Sequence, residues 1–350
     1  MQGSTCHSSL SLRDLARLVR FFAQVYPQAA FDPRFSERYY AWKYFCEDHC
    51  RDAGGPTVLA VERGQEIAAV LGLLPFRLVA GPASLPSAWI CDWHVLPGFR
   101  GEGLGRLLLE TALEQFPGLC CLNGTEDAAR LFTHYGFHCQ WNSDNWTSVI
   151  RPLAYECPRR PAYKLPISCL AALARIRPRR THVKAPVIAL NEVDLREIPV
   201  KLLGNSKPGM ARTGTLLQWF SRSPAACISA YLVQHSTEVA GYVLLHRDQD
   251  RLGRERARIL DYRILSDSTE ARCVVWSAIH KWISQHDRPT YIDLLSADDS
   301  PALTLAGFKK RSPVRLWYHT SGLPPAGLDA GWHLSFLDKD DAFRGTAYVA

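Results

Sequence analysis

The stretch Trp89–Leu109 constrains this chain more than any other, because it dictates three successive elements. Ile90–Val95 is a short apolar run suited to a buried strand. Pro97 and Gly98 end it. Arg100-Gly101-Glu102-Gly103-Leu104-Gly105 then forms a tight turn, and Arg106–Phe116 carries a helical stripe of Leu107, Leu108, Leu109, Ala112 and Leu113. Glycines let the backbone take unusual dihedrals and approach a ligand closely. The first N–H groups of the following helix point outward, and the helix dipole favours negative charge there. Such a turn suits a pyrophosphate. It is not a P-loop, since no Gly-Lys-Ser/Thr follows, and its glycines are not spaced as in the dinucleotide fingerprint.

Arg-x-x-Gly-x-Gly after a strand ending Val-x-Pro resembles motif A of the GNAT superfamily of N-acetyltransferases. A second match follows in Thr125–Phe137, with Thr125 as helix N-cap, acids in the first turn and Gly136 as helix stop. It resembles the family's motif B, a short helix ending in Gly-Phe. The resemblance implies an α/β (α+β) fold, a twisted, mostly antiparallel sheet flanked by helices. It implies acetyl-CoA, or another acyl-CoA, as co-substrate, with the pyrophosphate on the Gly-rich loop. His94, Val95, Arg100, Gly101, Gly103, Leu104, Gly105, Arg106, Asn123 and Phe132 are the positions expected along the coenzyme. Asn123 and Thr125 reach the pantetheine arm or serve the helix cap, and Thr125 reads better as the cap.

Acyl transfer to an amine requires that the ammonium lose a proton and that the tetrahedral oxyanion be stabilised. Asp92 and His94 are two apart on one strand and so share a face. Burial beside Trp89 and Trp93 would raise the Asp92 pKa and improve it as a base; the alternative is that Asp92 caps or pairs with a nearby Arg. A free imidazole already titrates near neutrality, so His94 needs no shift, or it merely packs. By family analogy, the N–H of His94 or Val95 polarises the thioester. Family members commonly place a tyrosine four residues before the glycine of motif B, to protonate the leaving thiolate. Here Phe132 stands there. Tyr135 has a hydroxyl nearly one turn further round, and His134 is another donor.

The whole chain of 350 residues has room for two cores. Its second half repeats the first weakly: Leu217-Gln218-Trp219-Phe220 echoes Tyr40-Ala41-Trp42-Lys43, Ile259–Tyr262 echoes Ile90–Trp93, and Ala306–Phe308 echoes Tyr135–Phe137, at offsets near ~170 residues. After Asp261 there is no Gly-x-Gly. The expected organisation is tandem: a coenzyme-binding copy at 1–150, a basic Pro-rich linker at 151–188 and a degenerate copy at 189–350 without its own coenzyme site. The linker holds nine basic residues and one acid from Arg151 to Lys184 in a chain of net charge +7, and its ISCLAALARI stretch reads as a short helix. That helix packs on a domain, or lies as a peripheral contact on an anionic membrane. With few interleaved aromatics it is not a nucleic-acid reader.

No apolar run reaches the length of a membrane span, and no signal peptide opens the chain, so a cytoplasmic protein with reduced thiols is expected. Cys46, His49 and Cys50 lack a second pair at zinc spacing, so no metal is expected. The reading reached is an acyl-CoA-dependent N-acetyltransferase acting on a small-molecule amine such as an amino sugar or amino acid. The tandem organisation resembles acetyltransferase-like proteins of bacterial polysaccharide biosynthesis. Two other functions compete: a non-catalytic acyl-CoA-binding scaffold, and a Fem-type aminoacyl transferase, which the intact loop argues against.

Overall fold

The computed structural model describes residues 6–26, 36–46, 57–156, 188–204, 207–250, 252–266, 268–297, 300–322, 328 and 332–338. The expected linker helix and the Cys50 end of the cysteine cluster lie outside them. In chain order the first elements are β1 (Cys6–Ser9), α1 (Leu15–Val25), α2 (Glu37–Phe45), β2 (Val58–Arg63), β3 (Glu66–Ala80) and β4 (Ala83–Val95). Then come α3 (Leu104–Gln115), β5 (Gly118–Leu122), α4 (Glu126–His134), β6 (His138–Val149), α5 (Pro152–Glu156) and β7 (Ile188–Val193). The rest are α6 (Val200–Leu203), β8 (Gly209–Met210), α7 (Gly214–Ser221), β9 (Ile228–His235), β10 (Glu238–Gln249), β11 (Glu255–Ile264), α8 (Thr269–His286), β12 (Tyr291–Ser296), α9 (Ser300–Leu305) and β13 (Lys309–Thr320).

The fold is mixed α/β, with mostly antiparallel strands flanked by helices. Some boundaries differ from the sequence reading. In sequence, the apolar spacing from Leu10 to Tyr26 reads as an amphipathic first helix, but the helix starts at Leu15, after the strand Cys6–Ser9 and a 3-10 turn at Leu12–Asp14. In sequence, Glu66–Leu74 and Phe76–Val79 read as two short strands on either side of Pro75, but they are one, because Pro75 lacks only an N–H and β3 runs through it.

Contacts divide the chain into two compact units, neither contiguous in sequence. The first comprises 1–142, 205–225 and 315–332; the second comprises 143–204, 226–314 and 333–350. These units cut across a division by sequence copy at 150 and 189.

In the first unit β1, β2, β3 and β4 pair antiparallel in sequence. Beyond them lies β5, parallel to β4, and its far edge takes Leu316–Thr320 of β13 antiparallel. On one face, α3 and α4 bury Leu104, Leu108, Leu109, Ala112 and Phe132 against Leu59, Val61, Leu71, Ile90 and Leu119. On the other, Phe22 of α1 stacks on Tyr40 of α2 at 4.6 Å, and Tyr40 stacks on Tyr44. The stripe Leu18, Phe21, Phe22 on α1 has the i, i+3, i+4 spacing of a helix with one buried face.

In the second unit β7, β9, β10 and β11 pair antiparallel. β12 is parallel to β11, and its other edge pairs with Asp144–Val149 of β6. Trp276, Ile279 and Ile283 of α8 fill the core over this sheet.

Candidate functional site

The parallel register between β4 and β5 runs only from Ser87–Trp89 against Gly118–Cys120. From Ile90 onward, β4 keeps β3 on one edge and has no β5 partner on the other, so a wedge opens between the two strands. The bulge in β4 adjoins this point: Cys91 faces Gly72 and His94 faces Val70, so Asp92 and Trp93 together oppose Leu71. The Leu96 N–H donates to the Ala68 carbonyl at 2.9 Å, towards β3. Alternation along an antiparallel strand then turns the Val95 N–H the other way, into the wedge.

Pro97–Phe99 form a 3-10 turn after β4, and the Arg100 Nε folds back onto the Val95 carbonyl at 3.4 Å. Gly101 and Gly103 have φ of 87° and 76°, the left-handed region. A Cβ at either would meet nothing within 4 Å, so the backbone lies open on its outer side. Gly103 is the N-cap, so α3 starts at Leu104, two residues before the start read from the sequence. Leu104 is buried as an anchor, and Gly105 lies in the first turn, where a Cβ would stand 3.5 Å from the Trp93 indole nitrogen. The first N–H groups of α3 have no intrahelical acceptor. An open glycine backbone leading to these N–H groups fits a pyrophosphate. The exposed Arg106 pairs with Glu110 at 3.0 Å along α3, and Glu102 pairs with Arg63 at 3.2 Å.

Asn123 is committed elsewhere in this structure. Its φ is 66°, its Oδ1 accepts the Arg315 N–H at 3.2 Å and its carbonyl accepts the Trp317 indole N–H at 3.1 Å. Thr125 is the N-cap of α4, accepting the Ala128 N–H at 3.2 Å, the role preferred from sequence. Phe132 is fully buried between Trp93, Phe137 and Trp317, so here it is core and offers no surface to a coenzyme. Tyr135 donates its hydroxyl to Glu110 of α3. That bond raises the Tyr135 pKa, the opposite of what a ready proton donor needs.

Asp92 and His94 both face α1 and α2. Asp92 is buried, with φ 42°, and its partner is Lys43 rather than an arginine: Oδ2 accepts Lys43 Nζ at 2.6 Å and the Tyr44 hydroxyl at 2.5 Å. Lys43 is 2% exposed, within cation–π range of Tyr44 at 5.1 Å. Burial and the Asp92 charge hold the Tyr44 pKa well above its ordinary value, so this hydroxyl stays a donor. His94 Nε2 is hydrogen-bonded to the Tyr26 hydroxyl at the end of α1, and its ring packs edge-on against Phe22 and Tyr26. In sequence, Tyr39–Phe45 reads as an aromatic cluster, helical and packed as core, so Lys43, Tyr44 and Tyr26 are not singled out there. A lysine inside a run of aromatics was the available signal.

In the second unit the parallel register of β11 and β12 ends at Ile259, and a bulge follows beside Asp261. Asp261 is fully buried, accepts the Tyr242 hydroxyl at 2.7 Å and lies 3.7 Å from His333. The N-terminus of α8 has no glycine turn. Ser268 caps the Ala271 N–H at 3.3 Å, and Arg272 donates to the Ser266 carbonyl at 3.1 Å. Among the described residues no cluster of three or more His, Cys, Asp or Glu could hold a metal ion, and no helix is long and apolar enough to cross a membrane.

Comparison with known proteins bears on the fold. Residues 16–137, which contain the wedge, the Gly loop and α4, match the acetyltransferase (GNAT) family. No curated protein matches the sequence. Among solved structures, a GCN5-related N-acetyltransferase from Anabaena variabilis superposes with a TM-score of 0.57 at 16% identity, covering 90% of this chain and 72% of that one. One from Kribbella flavida gives 0.56 at 14% identity, covering 90% and 71%. The N-myristoyltransferase of Saccharomyces cerevisiae with bound myristoyl-CoA gives 0.57 at 12% identity, covering 93% and 86%. The fold is thus GNAT-like.

Proposed function

We propose that the protein is an acyl-CoA-dependent N-acyltransferase, with acetyl-CoA as donor and a small-molecule amine, such as an amino sugar or amino acid, as acceptor. One observation carries the reading: the Val95 N–H points away from β3, on the edge of β4 that has left β5, and the strand leads directly to a glycine turn at the head of α3. A thioester carbonyl in the wedge would accept the Val95 N–H, and a pyrophosphate would take the N–H groups of residues 103–106. Arg100 and Arg106 lie beside that position as cations. His94, with Tyr26 on its Nε2, is the acid–base candidate for the amine. Asp92 already serves two donors on one oxygen, so it acts on the backbone instead.

The bulged strand, the short parallel register and the buried aspartate recur in the second unit, which supports a tandem origin with a second copy that has lost its glycine turn. The suggested link to polysaccharide biosynthesis rests on the sequence resemblance alone. A non-catalytic acyl-CoA-binding scaffold is the second reading, favoured by the buried Phe132 and by the Tyr135 hydroxyl given to Glu110.

Calorimetry with acetyl-CoA on wild type and Gly103→Glu tests the site, followed by thioester consumption with a panel of amines. One site per chain, lost in the variant, supports it. No binding to wild type overturns it for acetyl donors. Binding without turnover by any amine favours the scaffold.

A further inference from the structure

Lys43, Tyr44 and Gly72 lie outside the wedge, yet all three converge on Asp92, the residue on which the β4 bulge turns. An L-residue at φ 42° is strained by roughly 1–3 kcal/mol unless its surroundings hold it. Here they do. Oδ2 of Asp92 takes two short charge-assisted bonds, from Lys43 Nζ and from Tyr44, both carried on α2 and both buried. The Tyr44 hydroxyl reaches Asp92 by crossing β3 at Gly72. A Cβ there would lie 2.2 Å from the Tyr44 oxygen and 3.0 Å from the Cys91 carbonyl. Thr57 in turn donates to the Tyr44 carbonyl and fixes the end of α2 to the first unit's sheet.

What the bulge achieves follows from the register. Before it, the partners are Gly72 with Cys91 and Leu73 with Ile90; after it, they are Val70 with His94 and Ala69 with Val95. The extra residue reverses which N–H groups face β3. In a regular β4 the Val95 N–H would be spent on β3, and the His94 N–H would face the wedge with its side chain on the opposite sheet face. The bulge therefore delivers two things together: the Val95 N–H in the wedge and the His94 ring beside Tyr26.

We propose that Lys43 and Tyr44 are positioning residues for acyl transfer, gripping Asp92 across Gly72 so that β4 stays bulged and Val95 presents its N–H to the thioester. This rests on the acyltransferase reading above. It assigns the buried ion pair to geometry rather than to proton transfer. It also explains an ion pair that stability alone does not demand, since apolar residues of similar volume often replace such pairs without loss.

The test uses the full chain with selectively 15N-labelled valine, so that Val95 is read with no ligand present. Tyr44→Phe removes one bond and leaves the ion pair. Lys43→Met/Asp92→Asn removes the charges together, so neither is left buried alone. In folded variants the Val95 amide resonance moves and its hydrogen exchange accelerates. Acetyl-CoA affinity stays within about threefold, because the glycine turn is untouched, while kcat falls about 10- to 100-fold with KM little changed. Gly72→Ala, which displaces the Tyr44 hydroxyl, reproduces Tyr44→Phe. An unmoved Val95 resonance with wild-type kcat in the folded variants overturns the proposal. If wild type binds no acetyl-CoA, the acyltransferase reading falls, and the Val95 signal still decides whether Lys43 and Tyr44 hold the bulge.

Discussion

Gly103 and Phe132 show how much a single side chain decides at this site. Gly103 sits at φ 76° with nothing within 4 Å of a Cβ, so an alanine there would be strained but not crowded. Gly103→Ala is expected to lower stability by only about 1 kcal/mol, read as a small drop in thermal midpoint. The same variant is expected to weaken acetyl-CoA binding in calorimetry, because the loop relaxes away from the geometry that presents its N–H groups. Phe132 stands where the resembled family commonly has a tyrosine. It is enclosed by Trp93, Phe137 and Trp317. Restoring the hydroxyl would bury a polar group among three aromatic rings. Phe132→Tyr is expected to destabilise the chain by about 1–3 kcal/mol in denaturant unfolding and to leave kcat no higher. A gain in kcat would mean that the Tyr135 side of α4 rearranges to admit the new group.

Between elements, the contacts that matter span long sequence separations. Trp42 of α2 and Trp219 of α7 stack at 4.6 Å, and each indole N–H donates to the other's carbonyl, at 2.7 and 2.9 Å. Trp42→Ala removes a buried indole, its stack on Trp219 and the indole N–H that the Trp219 carbonyl accepts, while the residue 42 carbonyl remains for the Trp219 indole; a loss of about 3–5 kcal/mol is expected. The double Trp42→Ala/Trp219→Ala variant should lose less than the sum of the two singles, since they share one contact. His280 on α8 is bonded to Ser148 of β6 at 2.8 Å, and burial pushes its pKa down from 6.5 to about 4. The unfolded chain binds that proton first as pH falls. This group's contribution is therefore complete above pH 6.5 and drains away as pH falls towards 4, by up to about 3 kcal/mol. Urea unfolding at pH 7 and pH 4.5 on wild type and His280→Asn checks this, and the variant should lose less on acidification.

These elements also show what the sequence made legible. The glycine turn and the motif B cap could be read because their determinants lie within a few residues of one another. The Trp42–Trp219 echo could be read as a repeat, but not that its two members bond to each other. The grip of Lys43 and Tyr44 on Asp92 could not be read, because the partners lie 49 and 48 positions away and buried charge leaves no periodic trace. Tyr135 could be named as a hydroxyl, but its turn towards Glu110 depends on how α3 and α4 pack.

For the whole molecule, the decisive fact is that neither compact unit is built from one continuous stretch. The first unit is completed by Leu316–Thr320 on the edge of β5, by Trp317 in its core and by the Asn123–Arg315 bonds. The fragment 1–150 alone would expose that edge and lack that tryptophan. It is expected to aggregate or remain unfolded, and to yield soluble, acetyl-CoA-binding protein when co-expressed with 151–350. A monomeric, cooperatively folding 1–150 fragment in circular dichroism melts would contradict this.

The borrowed strand also sets a clock. During synthesis, residues 1–142 leave the ribosome long before Arg315 is made, and at about 5–20 residues per second the gap is roughly 10 to 35 s. Through that interval residues 1–142 of the first unit are present but the unit's last strand is not, and the open edge of β5 can pair with any extended chain that meets it. Slower translation lengthens the exposure and faster translation shortens it. The yield of folded protein in a cell should therefore depend on elongation rate and on chaperones that cover nascent strand edges, more steeply than for a chain whose domains close in order.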